Sequence, residues 1–97
     1  MDTFTLFLAL RPEPLLDDAA VDALGSALRP GDHDLRVWRE EGRGLVRVST
    51  EAPADGLEAA LELAHDLGAE VLARCPGALI EVSALGDEDS LVWRSVP

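Results

Sequence analysis

Two histidines, one cysteine and two tryptophans are the residues of this 97-residue chain whose chemistry is hardest to replace. His33 and His65 are each followed by an aspartate, giving His-Asp twice. A metal phosphohydrolase needs such pairs with further histidines, and the chain has none. The two therefore read as surface or half-buried side chains. Cys75 alone excludes an intrachain disulfide and a zinc site built of cysteines. It follows Arg74 at the expected end of a helix, where a thiolate is disfavoured, so it reads as a small buried hydrophobe. The polar candidates for catalysis are His33, His65, Arg36, Arg47 and Glu81. A general base needs a proton within reach and an orienting partner, and Asp66 points about 100° away from His65 around a helix. No convergent catalytic set emerges. No metal is expected either: the acidic turn Gly86-Asp87-Glu88-Asp89-Ser90 lacks the ligand spacing and glycine of a calcium loop.

Both tryptophans sit in the same triplet, Val37-Trp38-Arg39 and Val92-Trp93-Arg94. The repetition is too short to be a structural repeat, but tryptophan carries much apolar area and is enriched at interfaces. Charge is the stronger signal. The chain carries 19 acidic residues against 8 arginines, with no lysine, for a net charge of -11. Nucleic-acid phosphates repel such a chain, so no nucleic-acid partner is expected. Phe7 and Trp38 with Arg36 and Arg47 have the types of an RNA-stacking platform, yet the charge opposes that reading. No apolar run reaches the length of a membrane span, and Asp2 stands where a signal peptide has positive charge. The expected location is cytoplasmic, with no membrane partner and no cofactor.

The elements that must position these residues follow from periodicity. Residues 3–10 alternate with period two: Phe4, Leu6, Leu8 and Leu10 form one face, Thr3, Thr5, Phe7 and Ala9 the other. Arg11-Pro12-Glu13-Pro14 is expected to end this strand. Asp17 caps a first helix over 18–29, with Leu16 and Val21 as a staple, and Pro30-Gly31 stops it. Strands follow at 35–40 and 45–50, joined by the hairpin Glu41-Gly42-Arg43-Gly44. Asp55-Gly56-Leu57-Glu58 resembles a capping box and opens a second helix over 56–74. The apolar stripe keeps its phase through Gly68, which favours one continuous helix over a break and a strand at 69–74. Residues 78–85 form the next strand, and 91–96 a short final strand or an extended tail.

This order, strand-helix-strand-strand-helix-strand, resembles the ferredoxin-like superfamily over residues 3–85. The resemblance is topological and implies an α+β domain. It would have a four-stranded antiparallel sheet, two helices on one face, and a C-terminal extension over 86–97. The whole chain, 1–97, reads as a single domain. The superfamily hosts many unrelated activities, so the resemblance implies no particular one. Helices would cover Phe4, Leu6, Leu8, Leu35, Val37, Val46, Val48, Ile80 and Val82. The other face would carry Thr5, Phe7, Arg36, Trp38, Leu45, Arg47, Leu79, Glu81 and Ser83, which is too apolar for a bare solvated surface. The expectation is a non-enzymatic interaction module that self-associates as a homodimer. Its surface would comprise Phe7, Arg36, Trp38, Leu45 and Arg47, reinforced by Trp93. Two alternatives stand beside it. One is an acidic inhibitor or antitoxin-like partner of a basic protein, using Glu58, Glu62, Asp66 and Glu70 along one side of the second helix. The other is a small-ligand-binding or enzymatic dimeric α+β barrel with a pocket near His65 or the sheet face.

Overall fold

In the computed structural model of the protein, residues 2–13, 16–28, 35–40, 42 and 44–95 are described. His33, Pro14, Pro30-Gly31, the hairpin residues Glu41 and Arg43, and Val96 lie outside them. The elements run β1 (Asp2–Pro12), α1 (Asp18–Leu28), β2 (Arg36–Glu40), β3 (Leu45–Ala54), α2 (Leu57–Arg74), β4 (Gly77–Leu85) and β5 (Ser90–Arg94). All strand pairs are antiparallel, in the order β2-β3-β1-β4-β5.

The α+β class holds, but the expected four-stranded ferredoxin-like sheet is corrected. The sheet has five strands, and its order is not that of the four-stranded arrangement. The reason lies in the acidic turn. Gly86 N–H donates to Asp89 O across 2.8 Å and sends the chain back along β4. The returning segment pairs from Leu85↔Ser90 to Glu81↔Arg94, so β5 replaces β4 as the sheet edge. Residues 90–94 are thus a strand and not a tail.

β1 is the central strand, and its alternation decides which face is buried. Phe4, Leu6, Leu8 and Leu10 stand opposite Ala52, Thr50, Val48 and Val46 of β3. Leu6 and Leu8 also stand opposite Ala84 and Val82 of β4. These residues join one core cluster with Val21, Leu24 and Leu28 of α1 and Ala60, Ala64 and Val71 of α2. Both helices therefore cover the same face. β1 extends further than expected, through Pro12. The last β3 pair is Leu10↔Val46, so Pro12 pairs with β4 alone at a position that tolerates a missing donor. β3 likewise continues to Ala54.

The caps divide. Asp17 Oδ1 accepts the Ala20 N–H at 2.8 Å, as a helix-capping aspartate should. At α2 the N-cap is Gly56 and not Asp55, and no side chain caps it. Gly56 has φ +152°, a backbone region closed to most side chains. α2 runs unbroken through Gly68, as the stripe predicts. A Cβ at Gly68 would lie 3.2 Å from a Leu79 methyl, so the glycine seats α2 on β4.

That contact exposes a phase error in β4. Leu79 was expected on the open face and Ile80 against the helices. The β1–β4 register shifts between Ala9↔Glu81 and Leu10↔Leu79, leaving Ile80 as the extra residue of a bulge. Leu79 therefore packs on the core beside Gly68, while Ile80 borders a cleft with Ala9, Arg47 and Glu81. Gly77 closes the same end of the strand. A Cβ there would stand 2.2 Å from the Arg11 carbonyl oxygen.

Candidate functional site

The face of the sheet turned from the helices has no covering element among the described residues. Its side chains form two adjacent cross-strand rows. The first, from β2 to β5, is Arg36–Ser49–Phe7–Ser83–Val92. The second is Trp38–Arg47–Ala9–Glu81–Arg94. Five of the six residues expected at an interaction surface are thus brought together: Phe7, Arg36, Trp38, Leu45 and Arg47. Trp38 keeps 39% of its surface exposed, while Phe7 is half-buried. Leu45 is on this face by register but is already buried, so it serves as floor and not as contact.

Trp93 is the exception, and its place is corrected. It stands opposite Val82, a core residue, and so points to the helix side. There its ring meets the edge of the His65 ring at 5.1 Å between centroids and 72° between planes. The two tryptophans occupy opposite edges and opposite faces of the sheet. His65 is likewise separated from Arg36, Arg47 and Glu81 by the sheet, so these polar candidates do not converge on one centre. His33 lies outside the described residues.

A chain of alternating charges crosses the open face. Arg47 Nε donates to Glu40 Oε2 at 2.8 Å, and Arg47 Nη1 lies 3.8 Å from Glu81 Oε2. On the far side, Arg94 Nε donates to Glu81 Oε1 at 2.8 Å. The pairing of β3 with β4 side chains reaches across β1, and it does so over Ala9. A larger residue at position 9 would stand between Arg47 and Glu81. Ala9 is 2% exposed beneath them and is not part of the helix-side cluster. Glu40, Ala9, Arg94 and Val92 were not counted among the site residues by sequence. Strand alternation places Glu40 and Ala9, but the phase of β5 depends on the number of residues in the turn before it.

Beside this row a cleft of about 390 Å³ is lined by Ala9, Leu45, Arg47, Ile80, Glu81 and Arg94, with Ser95 at its rim. Ser95 is held there by its N–H donating to Ile80 O at 2.9 Å. On the opposite side of the molecule, Glu58, Glu62, Asp66 and Glu70 are all exposed along α2. Glu70 faces Arg74 at 4.0 Å. Arg39, also on the helix side, is 3.2 Å from Asp18 and ties β2 to α1. No cluster of metal-ligating side chains occurs among the described residues, and none of their helices is long and apolar enough to cross a membrane. Compared with protein-family models, with curated proteins and with solved structures, the chain matches none.

Proposed function

We propose that this chain is a protein–protein interaction module that pairs with a second copy of itself through the open face of its sheet. The observation that carries the reading is a face of nearly balanced charge, with exposed apolar side chains, on a strongly acidic chain. Trp38, Leu85 and Val92 are 39%, 38% and 51% exposed there, around a half-buried Phe7. By register the same face holds Arg11, Arg36, Arg47 and Arg94 against Glu40, Glu51 and Glu81. The chain as a whole carries -11. Two copies therefore meet with the least repulsion, and bury the most apolar area, through this face. Contact, and not catalysis, is what these residues are suited to.

Light scattering across protein concentration tests this on the wild type and on Trp38→Asp. The wild type is expected as a dimer, with Trp38→Asp weakening association at least about tenfold, because it places a charge among the exposed apolar side chains of that face. A wild type that stays monomeric at every concentration refutes the proposal. A second reading rests on the exposed row Glu58, Glu62, Asp66 and Glu70, which would suit the basic surface of another protein. The two readings respond oppositely to salt.

A further inference from the structure

We propose that the outer edge of β5 is a docking site for an extended basic segment of another protein, which adds to the sheet as a further strand. The starting point is the phase of the β4–β5 hydrogen bonds. The Gly86 N–H donates to Asp89 O, and the Ser95 N–H donates to Ile80 O. Both pairs continue the register of β4 with β5, and bonded pairs alternate with unbonded ones along an antiparallel ladder. Leu91 and Trp93 therefore bond to β4, while the N–H and C=O groups of Ser90, Val92 and Arg94 point out from the sheet edge. These three residues are exposed. An outward row of this kind is a template for one more strand.

The other edge of the sheet is guarded. β2 carries Arg36, Arg39 and Glu40 among its five residues, and Arg39 is tied to Asp18 of α1. β5 has no proline and no bulge, and its single charge, Arg94, is paired with Glu81. Its other side chains are apolar or small, with Val92 and Trp93 exposed.

Charge fixes the class of partner. The Trp93 ring meets His65, so that side of α2 lies over β5. Only Cys75 and Pro76 separate α2 from β4, so the helix runs against β4 and along β5. Glu62 and Glu58 stand three and seven positions before His65, on the same side of the helix. They are roughly 4.5 Å and 10.5 Å back along its axis, about level with Leu91 and Ser90. Asp87, Glu88 and Asp89 flank the start of the strand, and all five carboxylates are exposed. An incoming strand thus meets free backbone groups first, then Leu91 and Trp93 on the helix side, with carboxylates beyond them. Alternate lysines suit that order, since a lysine stem packs on apolar surface while its ammonium reaches a carboxylate. β-Branched residues between them fall beside Val92 on the other face. A second copy fits this edge poorly, because it brings its own Glu58 and Glu62 to the same place.

Titrating a short capped peptide of alternating lysine and valine into ¹⁵N-labelled protein tests this. Amide exchange at Ser90, Val92 and Arg94 is expected to slow at least about tenfold on binding, with less change at Leu91 and Trp93, which β4 already holds. Val92→Pro removes one outward N–H and leaves the β4 ladder intact, so it should fold and bind the peptide at least about tenfold more weakly. Glu58→Lys with Glu62→Lys keeps the backbone edge and should weaken binding by a similar factor. Trp38→Asp, at the far edge of the sheet, should bind the peptide as wild type does, which separates this site from the open-face pairing. Absence of binding overturns the proposal, as does binding unchanged by the glutamate reversals or by a folded Val92→Pro. Equally tight binding of an alternating glutamate–valine peptide overturns it too. Slow exchange at the three outward amides without peptide would mean that a second copy holds the edge, and is equally fatal to it.

Discussion

Cys75 lies buried just beyond the end of α2, and burial pushes its thiol above the ordinary value of 9.0. The chain contains no lysine and no tyrosine, so Cys75 is the one side chain that titrates between the histidines and the arginines. That isolates its linkage to folding. Well below pH 9.0 the thiol is neutral in both states and contributes no pH dependence. Above it the unfolded chain loses the proton while the folded chain keeps it, so stability falls as pH rises. Urea midpoints measured from about pH 8 to about pH 11 should decline for the wild type and stay flatter for Cys75→Ala. An equal decline in both proteins would mean that the thiol ionises in the folded state as readily as in the unfolded one. The sequence already indicated a buried cysteine, because it falls on the apolar stripe of α2. Burial, more than the neighbouring helix end, is what raises its pKa.

β5 is the element whose placement most changes the molecule. It is an edge strand, paired on one side to β4, and Trp93 is its link to α2 through His65. Trp93→Ala should speed amide exchange in β5 by roughly tenfold and lower global stability by about 1 kcal/mol. Because Trp93 is on the helix side, the same variant should leave self-association unchanged, in contrast with Trp38→Asp. Unaltered exchange in β5 would show that β4 pairing alone holds the strand. The two Val-Trp-Arg triplets thus lie on opposite faces, one tryptophan on the open face and the other on the helix side against His65, each more than a third exposed. Periodicity showed the first, since β2 is flanked by a hairpin whose partner strand alternates cleanly. It could not show the second, because one residue more or fewer in the turn at 86–89 inverts every side chain of β5. The bulge at Ile80 was hidden for the same reason. An extra residue leaves no mark in an apolar run such as Ala78-Leu79-Ile80, where either leucine or isoleucine can face the core. By contrast α2, with its long stripe and acidic outer row, was legible almost to the residue, and only its cap was misplaced by one position.

At the scale of the whole molecule, charge decides how the protein meets others. The helix side carries Asp18, Asp22, Glu58, Glu62, Asp66 and Glu70 at its surface, while the open sheet face is close to balanced. Pairing through the sheet turns both acidic surfaces outward and keeps them as far apart as two copies allow. They still repel, since each copy carries -11. Salt shortens the reach of that repulsion, with a Debye length falling from about 30 Å at 0.01 M to about 8 Å at 0.15 M. Dimerisation should therefore tighten severalfold as salt rises from about 0.02 M to about 0.5 M, helped by the apolar character of the buried face. Sedimentation equilibrium across that range measures it. An acidic partner of a basic protein behaves the other way, because its attraction is what salt screens. Self-association that weakens with salt would mean that ion pairs, such as those joining Arg47, Glu81 and Arg94, had opened to bridge the two copies. That outcome would move the energetic weight of the interface from Phe7 and Trp38 to Arg47, Glu81 and Arg94.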